Sequence, residues 1–537
     1  MFAAAVVGSF LVYLLIGLAV GRKVRSRADY YVAGRNAPTI LITGSLVASF
    51  LSTVSFMGEL GFSYDGYPVV LLILVAVNVS GYVLGVLVFG RYLRRSEALT
   101  VPEFFGRRFG SPALQAVAGV TVVLGIGAYL VAVTQGVSLV LSDLTGLGFR
   151  AALLLVWAGY TAFTFFSGSP GVLVTDTVMF FVFLFAGVLG MSYLVGAAGG
   201  PAATVSALAG VEGKPDIVSW HGLSGPNAYM GSPTEVLVWA LVLGAVWATI
   251  VAISPWQSSR YLMAKNEHVC LRSGFLAMGA VLFLYVFLAL GGAAINVFNP
   301  NVSPSELAFV WAAQNVLPTG LGVLVVTGIV AAGLSSASTF LSLIGFSAAH
   351  DIAPVLRRGG ADPSTSLGFS RLVMLLAGLV VLGATYVAPP AVLAIGYFAA
   401  TLFAASWGPV ALLSIYSERI TARGALFGMV SGFVAVSVLQ GLTEFAGLSL
   451  PVWAHPVILG VLASLLGVLL GNLGARPEPA QLEFRRSLLP VPRGDLGPDR
   501  LKTTLRFGFS TAVLSVAVIV LLLVVYFVPF TQTLAAG

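Results

Sequence analysis

Long apolar runs are the feature that most constrains how this chain can fold. They recur from residue 2 to residue 529, and each is close to the roughly 20 residues that an α-helix needs to cross a bilayer. Charged residues make up only 9% of the sequence, whereas soluble domains average about 25%, so a water-soluble protein is excluded. We predict an all-α integral membrane protein with about fourteen spans. The candidate spans lie near residues 2–21, 39–60, 68–90, 112–142, 151–167, 171–197, 235–254, 274–297, 318–348, 372–388, 390–416, 424–446, 452–473 and 507–529.

The basic residues predict how these spans are oriented. If the N-terminus lies outside, all but two of the 27 Lys and Arg residues fall in loops on the cytoplasmic side, as the positive-inside rule requires. The exceptions are Arg150 and Lys214. The net charge of +7 is therefore a topology signal, and we expect no nucleic-acid partner. Arg22 and Lys23 follow the first span, the reverse of a signal peptide, so we expect that span to be retained.

Side chains that bind transition metals or perform catalysis are scarce in this sequence. Cys270 is the single cysteine, which excludes disulfides within the chain and cysteine-based metal clusters. The four histidines show no metal-ligand spacing. No nucleophile–base pair is recognisable among the polar residues of the spans. We therefore expect neither an enzyme nor an organic cofactor.

The second span contains a run of hydroxyl side chains where a spanning helix is normally apolar. The run consists of Ser49, Ser52, Thr53 and Ser55, and Gly58 follows it. Such a segment can unwind, which frees backbone carbonyls to bind a cation and hydroxyls to bind a solute. The alternative is that the hydroxyls bond to carbonyls one turn earlier and only bend the helix.

The ninth span carries a second set of small polar residues. Residues 332, 335 and 336 stand at helical spacings i, i+3 and i+4, and so do 335, 338 and 339. Each triplet places oxygen atoms on one helix face, and hard cations bind to oxygen ligands. The spacing equally fits close packing of helices through small residues.

Two acidic residues lie within predicted spans. Asp176 is in the sixth span, where a buried carboxylate costs roughly 2.5–3.5 kcal/mol on insertion scales. We find no Lys or Arg inside a nearby span, so a bound cation is the expected neutraliser, with a protonated structural residue as the alternative. Glu59 lies near the outer end of the second span, and we expect it to reach interfacial water.

With these residues in view, the chain resembles the sodium:solute symporter family, which includes sodium/glucose, proline, pantothenate, iodide and monocarboxylate transporters. The resemblance runs over roughly residues 8–435, and the second span looks most like the iodide and monocarboxylate branch. The matching segments are Arg27–Arg35, Ala48–Gly58, Thr175–Thr177, Arg260–Lys265, Leu334–Thr339, His350–Ile352, Gly408-Pro409 and Arg423–Ala425.

The resemblance implies a LeuT-type fold, in which two inverted five-helix repeats each begin with a helix broken near the middle of the bilayer. Here the broken helices would be the spans at 39–60 and 235–254. The implied division is an accessory first helix with its inner loop (1–36), a first repeat (37–198), an extracellular loop (199–234), a second repeat (235–418), and accessory C-terminal helices (419–537) with a basic inner linker (474–506).

The resemblance also implies sodium sites. The core site would use the backbone carbonyls of Ala48, Leu51 and Ala332 and the hydroxyls of Ser335 and Ser336. A second site, found in some members of the family, would use Asp176, Ser335, Ser338 and Thr339. We therefore predict two sodium ions.

A solute site is implied beside the first broken helix, where related carboxylate transporters use hydroxyls. The matching positions are Ser52 and Ser55. The other candidates are Asn78, Gln135, Trp247 and Tyr397, and an aromatic gate would be formed by Tyr397, Phe398 and Trp407.

The predicted function is sodium-driven uptake of a small organic solute by alternating access, in the inner (plasma) membrane of a bacterium. A monocarboxylate or similar small anion is the first candidate, and an amino acid or a sugar is the alternative. Other possibilities are a proton-coupled transporter that uses Asp176 or Glu59, and a symporter-like membrane sensor with a separate signalling partner. The expected partners are the solute, sodium and the bilayer, with no obligate protein partner.

Overall fold

The protein is helical throughout the part that the computed structural model describes, which comprises residues 1–225, 228–356, 366–388, 391–492, 502–517, 520–521 and 524. The α-helices are α1 (Phe2–Gly21), α2 (Arg27–Val32), α3 (Thr39–Phe50), α4 (Leu60–Tyr64), α5 (Pro68–Asn78), α6 (Ser80–Gly85), α7 (Arg91–Ser96), α8 (Val101–Phe109), α9 (Pro112–Thr145), α10 (Phe149–Ala197), α11 (Pro201–Ala209), α12 (Pro233–Ile253), α13 (Pro255–Met263), α14 (Glu267–Ala294), α15 (Ala308–Asn315), α16 (Thr319–Phe346), α17 (Ala353–Leu356), α18 (Leu367–Val387), α19 (Val392–Tyr416), α20 (Ala422–Ala446), α21 (Pro456–Asn472) and α22 (Pro479–Leu488).

Eleven helical segments of the described residues are long and apolar enough to span a membrane, or twelve if one bent pair counts as a span. The predicted spans at 151–167 and 171–197 both fall within α10, which has 49 residues. A helix of that length would measure about 74 Å, more than twice the bilayer core, so α10 contains two spans. They meet at a kink where Gly168 has φ 54° and ψ −152°. The predicted span at 507–529 lies partly outside the described residues, and the total of fourteen stays a prediction.

The first predicted break lies between α3 and α4. Helix α3 ends at Phe50, Leu51 is extended with ψ 109°, and a π-helical turn, Val54–Glu59, leads into α4. The two parts are bent by 56°. The Ser52 hydroxyl accepts a hydrogen bond from the Val54 amide at 3.1 Å, so a side chain replaces a helical backbone partner here. The structure confirms the break that was expected from the hydroxyl run.

The second predicted break separates α12 from α13. Ser254 has an extended ψ of 149°, and Pro255 is the first residue of α13, a position where its missing N–H is tolerated. The Ser258 hydroxyl donates to the Ser254 carbonyl at 2.6 Å. This break turns the short α13, which carries Arg260, into the protein interior.

Helix α16 lies at the centre of the bundle and packs against α3, α9 and α10. The residues from Gly328 to Phe346 are all buried. Helix α16 therefore presents its hydroxyl groups to the first broken helix and to α10, and this arrangement positions the candidate site.

Loops that were predicted to be cytoplasmic contact one another at one end of the bundle. Arg95 pairs with Glu267 at 2.7 Å, and Arg108 donates to the carbonyls of Ser414 at 2.6 Å and Gln481 at 3.0 Å. The contacts join segments 91–111, 255–273 and 474–506, in agreement with their assignment to one side. The segment 474–506 is more than a linker, because it includes α22. The outside location of the N-terminus stays a prediction.

Candidate functional site

The predicted core sodium site lies where α16 crosses the end of α3. The Ser335 hydroxyl donates to the Ala48 carbonyl at 2.8 Å and to the Ala332 carbonyl at 2.9 Å. The Ser336 hydroxyl is 3.3 Å from the Ala48 carbonyl. Leu51, the fifth predicted ligand, follows directly after the end of α3. The structure thus brings four of the five predicted oxygen atoms into one hydrogen-bonded group.

The composition of this group suits a hard cation. Its atoms are neutral oxygens from two carbonyls and two hydroxyls, and all five predicted residues are completely buried. A carbonyl near a helix end lacks its usual backbone donor, and a serine oxygen can turn its lone pairs towards a cation. A bound cation would contact the Ala48 carbonyl directly, and the two serine hydroxyls would turn their oxygen atoms towards that cation.

The predicted second sodium site surrounds Asp176. Its Oδ2 atom accepts hydrogen bonds from Ser45 at 2.6 Å and from Thr339 at 3.3 Å. Its Oδ1 atom is buried and has no hydrogen-bond partner among the residues that the structure describes. Ser338 donates to the Ser335 carbonyl at 2.9 Å, so it lies beside the core site. Ser45 was missed by the sequence reasoning, although it lies one turn before Ser49 on the hydroxyl-rich face.

The expectation that no basic residue lies near Asp176 is wrong. The Arg260 guanidinium is 3.4 Å from Asp176 Oδ2, and both side chains are buried. Arg260 also donates to the Thr339 hydroxyl. It was overlooked because it lies in the inner segment after the 235–254 span, and only the break at Ser254 carries α13 back to α10. Arg260 is thus a resident counterion for the carboxylate.

An aromatic cluster lies beside the break that follows α3. Phe50 lies 5.7 Å from Trp247 and 6.4 Å from Tyr285 between ring centroids, and Trp247 lies 5.7 Å from Tyr397. The Ser55 hydroxyl is 2.8 Å from the Tyr285 hydroxyl. Three predicted solute-binding residues, Ser55, Trp247 and Tyr397, are therefore brought together. Tyr285 was not predicted, because a single tyrosine in an apolar span is not distinctive.

Glu59 belongs to the same cluster, and the expectation that it reaches interfacial water is wrong. Its side chain accepts hydrogen bonds from the hydroxyls of Tyr285 and of Tyr397, the latter at 3.1 Å. The residue is only 3% exposed. The helix bend directs this segment under α14 and α19, which a count of residues along a straight span could not show.

The remaining predicted solute-binding residues differ in their surroundings. Ser52 is fully buried at the break. Asn78 is buried, and both polar atoms of its amide lack a partner among the described residues. It lies one turn before Tyr82, whose ring packs on Phe50 at 6.0 Å. The amide of Gln135, in contrast, donates to the Ala388 carbonyl at 3.0 Å and accepts from the Ala391 amide at 3.4 Å.

The predicted aromatic gate does not form as a unit. Trp407 donates to the Thr121 hydroxyl at 2.7 Å, and its ring packs on Phe105 at 5.2 Å. It lies ten residues from Tyr397 on one helix, about 15 Å along the axis. Tyr397 alone of this pair therefore lies at the candidate solute site.

Two of the membrane-length helices are broken, and the bundle encloses buried oxygen atoms and a cluster of polar and aromatic side chains. These features are typical of a membrane transporter. The family comparison agrees. The chain belongs to the sodium:solute symporter family, whose profile matches residues 30–432. Members of this family are transporters and not enzymes, and the chain is a multi-pass protein of the inner (plasma) membrane, as predicted.

Relatives of known function match almost end to end. The chain is 25% identical to the sodium/proline symporter of Salmonella typhimurium, over 89% of this chain and 94% of the relative. It is 26% identical to the sodium/pantothenate symporter of Escherichia coli, over 83% and 90% respectively. These relatives support the family, whereas the predicted likeness to the iodide and monocarboxylate branch stays a prediction.

Solved structures confirm the predicted fold. A sodium-coupled sialic acid symporter in a substrate-bound, outward-open state superposes with a TM-score of 0.73 at 18% identity, and covers 89% of this chain and 99% of its own. Mhp1, a nucleobase-cation-symport-1 transporter in a closed conformation, gives a TM-score of 0.58 at 13% identity, with coverages of 86% and 99%. The fold is therefore LeuT-type.

Proposed function

We propose that this protein is a sodium-coupled symporter that imports a small carboxylate-bearing solute by alternating access. The observation that carries the proposal is the buried group formed by the carbonyls of Ala48 and Ala332 and the hydroxyls of Ser335 and Ser336. The named functions of the proline and pantothenate relatives support sodium coupling, and both of those solutes carry a carboxylate.

Coupling follows from the position of the core site. A sodium ion held between Ala48 and Ser335 would join the broken helix to α16, and the candidate solute site begins four residues later at Ser52. Ordering the break would preorganise that site for the solute. Because such coupling is reciprocal, the solute must tighten sodium binding by the same factor.

The carboxylate end of the solute would bind the hydroxyls of Ser52 and Ser55 and the amide of Asn78. Asn78 supports this assignment because its buried donor and acceptor lack partners among the described residues, and buried amides are normally hydrogen-bonded. An amino acid fits these groups as well as a monocarboxylate does, and the proline relative favours the amino acid.

We further propose two sodium ions, the second at Asp176. The partnerless Oδ1 atom supports this site, and an ion there would share the carboxylate with Arg260. Taking 100 mV and a tenfold sodium gradient, two ions would drive a net-neutral solute with about 7.4 kcal/mol. One sodium ion carried together with a monoanion moves no net charge, so the membrane potential contributes nothing. Only the sodium concentration gradient then drives uptake, with about 1.4 kcal/mol.

The test is solute uptake by purified protein in liposomes, with sodium varied at constant ionic strength. Uptake should require sodium, and Ser335→Ala with Ser336→Ala should raise the sodium concentration for half-maximal uptake at least about tenfold, since a lost ligand typically costs 1.4 kcal/mol or more. Ser414→Ala is the control, because Ser414 is equally buried and its hydroxyl, in the described structure, bonds only to the Ala411 carbonyl of its own helix, while the backbone carbonyl that accepts from Arg108 is kept. Full uptake without sodium, or an unchanged sodium requirement in the double variant, would refute the proposal.

A further inference from the structure

Glu59 is a buried carboxylate that lacks a basic partner. Among the residues that the structure describes, Asp176 pairs with Arg260, Glu103 with His350 and Glu267 with Arg95, whereas no Arg, Lys or His lies within 4.0 Å of Glu59. Isolated buried charges are costly, and proteins normally pair them. The position therefore has a charge that the protein itself does not balance.

The hydrogen bonds around Glu59 favour its ionised form. Tyr285 donates to Oε2 and Tyr397 donates to Oε1 at 3.1 Å. The hydroxyls of Ser55 and Tyr285 are 2.8 Å apart, and either can be the donor. With Ser55 as the donor, all three hydroxyl protons would be directed towards an ionised carboxylate. A neutral carboxylic acid would have to donate from one of its own oxygens instead.

The rings beside Glu59 are suited to a cation as well. Tyr285, Tyr397, Trp247 and Phe50 form the aromatic cluster, with centroid separations of 5.7–6.4 Å. Aromatic faces attract cations, and together with a carboxylate they form a common environment for an ammonium group. No arginine or lysine takes that place in the described part of the cluster.

Glu59 and the hydroxyls proposed to bind a carboxylate lie on one segment. Glu59 follows Ser55 by four residues and Ser52 by seven, and the Tyr285 hydroxyl connects the side chains of Ser55 and Glu59. Hydroxyl groups and an anion among aromatic rings therefore lie side by side in this cluster. A solute that satisfied both would carry a carboxylate and a positive charge.

We propose that Glu59 binds the ammonium group of the transported solute, which makes the substrate an amino acid rather than a simple monocarboxylate. This inference rests on the proposed function, because it assigns one end of the same solute site. Glu59 is then a specificity-determining residue, and its two tyrosine partners hold the carboxylate in position.

The test compares matched solute pairs that differ only in the amino group. Proteoliposomes would be assayed with an inward sodium gradient and radiolabelled L-proline against cyclopentanecarboxylate, L-alanine against propionate, and 4-aminobutyrate against butyrate. We expect at least one amino member to be transported, and its partner at least tenfold less efficiently. Transport of carboxylates alone, equal transport of both members, or transport of neither would overturn the inference.

Variants of Glu59 separate charge from fold. Glu59→Gln keeps the size of the side chain and still accepts hydrogen bonds from the tyrosines. It should abolish the preference for the amino member, so that the ratio of uptake efficiencies within a pair falls at least tenfold. Glu59→Asp keeps the charge and should retain the preference. A preference unchanged in Glu59→Gln would contradict the inference, and so would proton-driven uptake in sodium-free buffer that Glu59→Gln abolishes. Uptake by the unsubstituted protein that does not depend on sodium would instead refute the proposed function. Sodium-driven transport of simple carboxylates would contradict the role of Glu59 but leave the proposed function intact.

Discussion

At the scale of single residues, Asp176 is a buried charge that has a structural counterion and that we propose also binds sodium. Its Oδ2 atom is held by Ser45, Thr339 and Arg260, while Oδ1 is left without a partner in the described structure. Removing one member of a buried pair leaves an uncompensated charge and typically costs about 3–5 kcal/mol. Arg260 thus stabilises the buried carboxylate, and a sodium ion at Oδ1 would act in addition to it.

The sodium dependence of Asp176 variants tests the second ion. If two sodium ions bind cooperatively, the unsubstituted protein should show a Hill coefficient approaching two in uptake assays, and Asp176→Asn should reduce it to one. The single variant Asp176→Asn also leaves the buried Arg260 without its counterion. The double variant Asp176→Asn/Arg260→Gln removes both charges, so it should regain stability towards heating in detergent but keep a Hill coefficient of one.

A Hill coefficient of one in the unsubstituted protein that Asp176→Ala leaves unchanged would contradict the second site. Recovery of cooperativity in the double variant would contradict the second site too. That outcome would mean that the lower Hill coefficient of Asp176→Asn comes only from the unpaired Arg260.

At the scale of the helices, the sequence predicts what depends on local chemistry. The break after α3 coincides with its hydroxyl run, and the oxygen-bearing face of α16 follows from helical spacing. The break before α13 was expected only from the family resemblance, at the span 235–254. Contacts between distant helices were not predictable in this way. Arg260 reaches Asp176 and Tyr285 reaches Glu59 only because tertiary packing places α13 against the core and α14 beside α4.

The kink in α10 gives a prediction at the same scale. Gly168 has φ 54° and ψ −152°, a conformation that side chains disfavour, and a Cβ there would overlap the Tyr30 ring. We expect Gly168→Ala to destabilise the protein by at least about 2 kcal/mol. The control is Gly127→Ala in α9, where a Cβ would meet nothing within 4 Å. Size-exclusion chromatography after heating should show earlier loss of the folded peak for Gly168→Ala only, and equal behaviour of the two variants would refute the assignment.

At the scale of the whole molecule, the LeuT-type bundle places the two candidate ion sites and the candidate solute-binding residues around α3, α10 and α16. The core site joins α3 to α16, Asp176 joins α10 to α16 through Thr339, and the aromatic cluster encloses the segment that follows the break in α3. A rearrangement of these helices would therefore act on ions and solute together. This common location would account for the proposed coupling between sodium and solute.

The equilibrium accumulation ratio of the solute tests that coupling most directly. Proteoliposomes would be held at zero membrane potential with a tenfold inward sodium gradient, and the internal and external concentrations of a transported solute would be measured at steady state. Because each ion contributes one factor of the gradient, two coupled sodium ions predict about 100-fold accumulation and one predicts about tenfold. Accumulation that ignores the sodium gradient and follows an imposed proton gradient would contradict the account.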